Sequence, residues 1–406
     1  MRVRCAFVAI LVGGLVVLLS PLAEAQVDTR RIEEVVKKNV LTAQDMEVID
    51  AFVAEEIGRL VRTTDFTEVA KTRAVIVSHQ VAQAQYAQRF SDAALREIGE
   101  GFEYATSEIT DPERRFKVFT NLLILANELN DPRLIDLGIS LIPHENSTVR
   151  YWALRAATNP AVWAKLGQDQ SSAAGLAARI VEECGKVVET SSPEALYLMA
   201  QFAGRYGTAP AQDLLLRIAD VRIKGYAGWT VSDELLDAGI LKALSARIGA
   251  GGTASPQLAR QFGQLYSYAI QRYIRGMKDV GLTELSASRL AAVLIETEQQ
   301  CLSKLLGGPQ TGIMRAVEAG DLNALQAEQD KLLGGPNQAG ALPSKFSFTY
   351  GSAQEKRTAP LALPEPPQRK PAAGTTPAEL ASPEAKPPES KPAEPKPAAP
   401  TSPAKP

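Results

Sequence analysis

The sequence predicts an all-α fold, an irregular α-solenoid of stacked helical hairpins, on three observations. Apolar residues recur at i, i+3, i+4 and i+7 through most of the chain beyond Asp28, the period of an amphipathic helix. These periodic stretches are separated by short Ser, Asp, Gly and Pro signals of the kind that cap or stop helices. No run of strict alternation is flanked by Asn-Gly or Asp-Gly, so hairpin strands are not expected.

A chain of 406 residues, 45% hydrophobic and 22% charged, has room for a sizeable core in one large domain or two ordinary ones. Its formal net charge is −2, and the part between the two ends is mildly acidic, so no nucleic-acid footprint is present. The beginning reads as an export signal. Arg2 and Arg4 precede an apolar run from Ala6 to Leu19, and Ala23-Glu24-Ala25 follows as a small-x-small cleavage site. Residues 1–25 are therefore expected to be a signal peptide. The run is shorter than the roughly 20 apolar residues a spanning helix needs, so no stable membrane span is expected after cleavage. The exported chain would then lie in the periplasm, the cell envelope or outside the cell. Of three cysteines, Cys184 and Cys301 remain after cleavage. In an oxidising compartment they can pair, or they can sit apart as buried thiols.

Residues 26–349 form the predicted all-helical domain, divisible at about residue 110 into N-terminal helices and a repeat array. Ile32 to Val40 and Ala43 to Val61 are the first helices. Phe66 to Phe90 reads as one long surface helix, and Ser91-Asp92 as the cap of another over Ala93 to Tyr104. Asp111-Pro112 and Asp131-Pro132 open further helices with an N-cap and an N1 proline. Between Pro143 and Pro160 lies the clearest amphipathic unit. Val149, Trp152, Ala153, Ala156 and Ala157 share one face there, behind an Asn146-Ser147-Thr148 cap.

Shifting this helix by about 35 residues sets Arg150 over Arg115, Tyr151 over Phe116 and Leu154 over Phe119. A third helix with the same apolar face starts at Ser192-Pro193. The stretch S-T-V-R-Y-W-A-L-R-A-A at 147–157 is similar to the first helix of a HEAT or armadillo-type repeat, in which a Val-Arg pair precedes small apolar residues. The resemblance covers about residues 111–206. It implies helix pairs stacked into an extended binding surface, with Arg150 and Arg155 as candidate surface or ladder contacts.

Helices continue over Ala209 to Ile223, Ser232 to Ile248, Ser255 to Met277 and Thr283 to Leu306. The sequence K-L-L-G-G-P occurs at 304–309 and again at 331–336, each time as a helix stop. Fifteen of the 26 prolines fall between Pro360 and Pro406. Such a composition buries too little apolar surface to order itself, so 350–406 is expected to be a disordered tail.

Chemistry is sparse. The two histidines, His79 and His144, lack the partners of a hydrolytic triad or a zinc site, and no C-x-x-C is present. Gly249 to Gly252 follows a helix and lacks the Lys-Ser or Lys-Thr of a phosphate loop. No catalytic, cofactor or metal residues are assigned. In the helix from Ser255, Tyr266 and Tyr273 share one face, and Arg272 and Arg275 lie towards another. Tyr and Arg are frequent at binding hot spots, and buried tyrosines with rim hydroxyls give the same pattern. The function expected is an exported, non-enzymatic scaffold that binds a protein or an envelope polymer. The alternatives are an all-α enzyme acting on a polymer with carboxylates, and a structural protein working through its proline-rich tail.

Overall fold

The structure is a computed structural model, which describes residues 29–167, 170–249, 255–280, 282–352 and 354–366. The expected signal at 1–25 and residues 367–406 of the expected tail lie outside the described residues. What is described is mostly helical.

Helix α1 (Thr29–Val36) packs on α2 (Ala43–Arg62), which opens with a capping box between Thr42 and Asp45. Lys38 closes on Asp45 at 2.7 Å, and this contact, together with Thr42, holds the Asp45 carboxyl down at about 2. The single helix expected over Phe66 to Phe90 is two helices, α3 (Phe66–Ser78) and α4 (Ala84–Ser107). The glutamines that read as a helix surface have other work at the break. Gln80 donates to the Leu129 carbonyl, and Gln83 both caps α4 and donates to the Asn39 carbonyl. Ser91 and Asp92, expected as a cap, lie inside α4, where the Asp92 carboxylate takes Arg133 instead. Gly101 brings α4 close to its neighbours, since a Cβ there would stand 3.1–3.2 Å from Leu122 and Val61.

From α5 (Pro112–Leu129) onward, helices alternate between two sets. Asp111 caps α5, and Asn130 ends it in the left-handed conformation. One set consists of α5, α7 (Ser147–Ala157), α10 (Pro193–Ala203), α12 (Asp237–Ile248) and α14 (Glu284–Thr297), each packed on the one before. The other consists of α6 (Ile135–Leu141), α9 (Gln170–Val187), α11 (Ala209–Ala227) and α13 (Pro256–Arg275), again in contact in order. Short α8 (Pro160–Leu166) links α7 to α9. Hairpin α10–α11 thus lies beside hairpin α12–α13. Helix α7 is buried over more than its predicted stripe, because α5, α6 and α10 all pack on it: Arg150 and Leu154 are covered as well, and Trp152 is only half-buried.

Three polar groups in this core join elements. Arg150 is 6% exposed and donates to the carbonyls of His144, at 3.0 and 3.2 Å, and of Thr190, at 2.9 Å. Arg222 of α11 makes a two-pronged pair with Asp237 of α12. Glu298, fully buried in the π-turn that continues α14, accepts the N–H groups of Ile313 and Met314, both at 2.8 Å. It thereby caps α16 (Gly312–Glu318), whose own Thr311 gives no side-chain cap. Both K-L-L-G-G-P stretches end helices, α15 (Ser303–Leu306) at Gly307 and α17 (Leu322–Leu333) at Gly334.

The boundary expected at residue 350 moves. The compact unit runs to Pro364. After α18 (Ala341–Phe346) the chain makes a two-residue ribbon, β1 (Tyr350–Gly351) with β2 (Lys356–Arg357), and then an extended stretch. Tyr350 and Leu363 are each 1% exposed, so this segment has apolar anchors that a reading by proline content overlooks.

Candidate binding surfaces

The residues expected to form a surface divide into two groups. Arg150, Tyr266 and Tyr273 are buried, which fits a ladder arginine and core tyrosines and not an exposed patch. Tyr266 is wholly covered and donates its hydroxyl to the Leu294 carbonyl at 2.8 Å, tying α13 to α14. Burial pushes its phenol well up. Arg155, Arg272 and Arg275 reach solvent at least in part, but α7 carries the first and α13 the other two, and they serve different places.

Cys184 and Cys301 are both buried free thiols, and burial raises each of them, so the disulfide between them is not present. The two histidines support local structure. His79 meets the Val75 carbonyl at 2.8 Å and stacks at a tilt on Phe52. His144 accepts the Asn146 N–H at its Nδ1 and packs edge-on against Phe116 and Phe119. Among the described residues, no group of three or more His, Cys, Asp or Glu side chains is placed to hold a metal ion. No helix among them is long and apolar enough to cross a membrane.

Arg155 lines a polar cleft of about 700 Å³ built by the C-terminal ends of α5, α7 and α10. Capping geometry puts its polar groups there. Asn159, which caps α8, also donates to the Asn127 carbonyl, to Asn127 Oδ1 and to Asn130 Oδ1, all at 2.9–3.0 Å. Three amides from two helix ends are thereby locked into one wall. Tyr197, Gln201 and Arg205 of the α10 end face them, and Glu128 contributes a carboxylate. Arg155 lies over the Trp152 ring at 5.1 Å and donates to the Tyr151 hydroxyl at 3.2 Å, so both of its contacts are with its own helix.

On the other side of the α10 end lies an apolar groove of about 1070 Å³. It is lined by Ala177, Val181 and Gly185 of α9 together with Trp163, Tyr206 and Leu214. Trp163, Phe202 and Tyr206 form an aromatic cluster at 5.0–5.9 Å between centroids, and Arg205 lines both this groove and the polar cleft. The cleft thus carries guanidinium and carboxylate groups, and the groove that shares Arg205 with it carries apolar surface.

No family model, curated protein or solved structure matches this chain.

Arg272 and Arg275 belong to a different place, along α13. Arg272 lies 4.5 Å over the Trp229 ring, and Arg275 donates to the Pro364 carbonyl at 2.9 Å. Sequence reasoning missed most of the cleft. Asn130 and Asn159 were visible only as helix-end signals, and nothing in the sequence says that side chains 29 residues apart bond each other. Gln201 and Arg205 carried no signal beyond helical periodicity.

Proposed function

We propose that the chain is a non-enzymatic helical scaffold of the HEAT or armadillo kind, exported to the envelope, which binds a protein or an envelope polymer through the ends of α5, α7 and α10. One observation carries the reading: a single cleft is lined by three successive helices of one set, with the Asn159 amide donating to Asn127 and Asn130 so that two helix ends are fixed to each other. Stacked helix pairs recognise partners in this way, each repeat contributing a few side chains to one continuous surface. Packing of α5, α7, α10, α12 and α14 in sequence order, with α6, α9, α11 and α13 beside them, supports a solenoid. The sequence features of residues 1–25 support export.

The test is capture of a partner from envelope extract by the purified chain, compared with the double variant Arg155→Glu/Arg205→Glu. Hot-spot arginines are worth about 2 kcal/mol or more each, so capture should fall at least tenfold while thermal unfolding is unchanged. Truncation after Pro366 should leave capture intact. If both charge reversals are tolerated, the scaffold reading of this cleft is wrong. If truncation alone abolishes capture, the tail is the working part.

A further inference from the structure

The segment Ala359–Pro364, A-P-L-A-L-P, is held on α13 in an unusual way. The Gln264 side-chain amide pairs with both backbone groups of Leu361, accepting its N–H at 2.8 Å and donating to its carbonyl at 3.2 Å. Two turns further along α13, Gln271 donates to the same carbonyl at 3.1 Å and accepts the Leu363 N–H at 2.6 Å. The Pro364 carbonyl takes two donors, Trp229 Nε1 at 3.0 Å and Arg275 Nη1 at 2.9 Å. All six bonds run from side chains of the body to backbone of the segment. The only side chain among those three residues that is wholly covered is Leu363, while Leu361 stays exposed.

This is how a groove reads a peptide. Prolines at 360 and 364 keep the segment extended and remove N–H groups that would otherwise need partners. None of the six contacts depends on the segment being joined to the body. The groove has its own built-in shape. Trp229 holds a positive φ of 56°, a conformation that a bulky side chain rarely adopts, and Arg272 lies over its ring. Such strain persists where surrounding structure fixes it, commonly at ligand clamps. Arg272 Nε and Nη1 are buried and meet no acceptor among the described residues, so the resident segment does not use everything the groove offers.

We propose that the groove formed by Trp229, Gln264, Gln271, Arg272 and Arg275 is a receptor for an extended, proline-flanked Leu-x-Leu segment of a partner protein, and that residues 360–364 are its resident competitor. The partner segment enters with its leucine in the Leu363 position and its backbone paired to the two glutamines. An acceptor group that reaches Arg272 gives it the advantage over the resident segment. This site is separate from the helix-end cleft and stands whether or not that cleft binds anything.

The probe is a labelled peptide of sequence T-A-P-L-A-L-P-E, added to the full chain and to its Leu363→Asp variant. The variant should release the resident segment and bind the peptide saturably. The unaltered chain should bind at least about tenfold more weakly, because its groove is occupied. Adding Gln264→Ala and Gln271→Ala to the variant should abolish binding. In the unaltered chain, the Leu361 and Leu363 amides should exchange with solvent at least about tenfold faster than the core amides of α13, reporting local release. A folded Leu363→Asp chain that ignores the peptide overturns the proposal. So does a variant that loses the helical far-UV signal of the unaltered chain, or amides protected as strongly as α13, since the segment is then core. Light scattering that shows two copies exchanging the segment also overturns it, because the occupant is then a second copy.

Discussion

Asp237 is the residue whose loss should cost most. It is fully buried at the start of α12 and accepts three bonds, from Arg222 Nε at 2.6 Å, Arg222 Nη2 at 2.9 Å and the Tyr226 hydroxyl at 2.8 Å. Burial pushes the carboxyl up, and the guanidinium and phenol oppose that push. Asp237→Ala removes all three bonds and leaves the Arg222 side chain, 5% exposed, with only the Ser232 carbonyl as hydrogen-bond partner among the described residues. An uncompensated buried charge of this kind costs about 3–5 kcal/mol. Replacing both ends by apolar residues, Arg222→Met with Asp237→Leu, removes the desolvated charge together with its partner and should cost no more than about 1–2 kcal/mol. Urea unfolding followed by far-UV circular dichroism measures both. With a slope of about 3 kcal/mol per molar, the single substitution should lower the midpoint by at least about 1 M. Stacked helices need not unfold in one step, so exchange of the α11 and α12 amides should be followed in parallel. A single substitution costing under about 1 kcal/mol, or a double as costly as the single, would refute the account of the pair.

The two K-L-L-G-G-P helix ends should respond differently to alanine. At Gly307, φ is +83° and the nearest atom to an added Cβ is Lys345 Nζ at 3.6 Å, so Gly307→Ala should cost only the left-handed penalty of about 1–2 kcal/mol. At Gly334 a Cβ would also lie 2.2 Å from the Thr358 carbonyl, so Gly334→Ala should cost at least about 2 kcal/mol more, read as a difference in urea midpoints. Burial, with help from Arg150 and Arg115, lowers the His144 pKa against the opposing pull of Glu145. The unfolded chain therefore binds the proton more readily, and stability should decline as pH falls below about 6.5. His144→Phe should flatten that decline between pH 7 and 5, and a slope that survives the substitution belongs to another group. Arg150→Met should lower stability by about 2–3 kcal/mol, because the His144 and Thr190 carbonyls lose a charged donor. A loss below about 0.5 kcal/mol in the same titration would mean that water replaces it.

Helices whose ends carry a capping side chain and a proline were legible at the residue level. Asp111-Pro112, Ser192-Pro193 and Ser255-Pro256 start α5, α10 and α13 as their chemistry dictates, because the cap bond is local. Errors fall where a side chain answers to something distant. Gln80 and Gln83 look like helix surface until the Leu129 and Asn39 carbonyls are known to lie within reach. Tyr266, Tyr273 and Arg150 have the composition of a binding patch, yet neighbouring helices cover them, and periodicity cannot say how many neighbours a helix has. Tyr350 and Leu363 stand beside a proline-rich run whose composition argues for disorder. Two buried side chains and a pair of glutamines from α13 outweigh it, since a short segment needs few anchors when its partner surface is already folded.

The buried pair and the peptide groove are joined through one connection. Between α11 and α12 the chain passes through two non-glycine residues of positive φ, Trp229 at 56° and Asp233 at 53°. Neither conformation is favoured on its own, so something must hold the loop. Arg222 does so from below: while its Nε and one Nη2 bond grip Asp237, the same Nη2 donates to the Ser232 carbonyl at 2.9 Å. Thr230 adds a backbone bond to the Gly225 carbonyl, also at 2.9 Å. Trp229, whose indole donates to Pro364, therefore stands on a loop fixed by the core ion pair. Asp237→Ala should loosen Trp229 and speed exchange at Leu361 and Leu363 well before the α2–α4 end of the chain is affected. If those amides keep their protection while α11 and α12 lose theirs, the loop is held by its own bonds and not by Arg222.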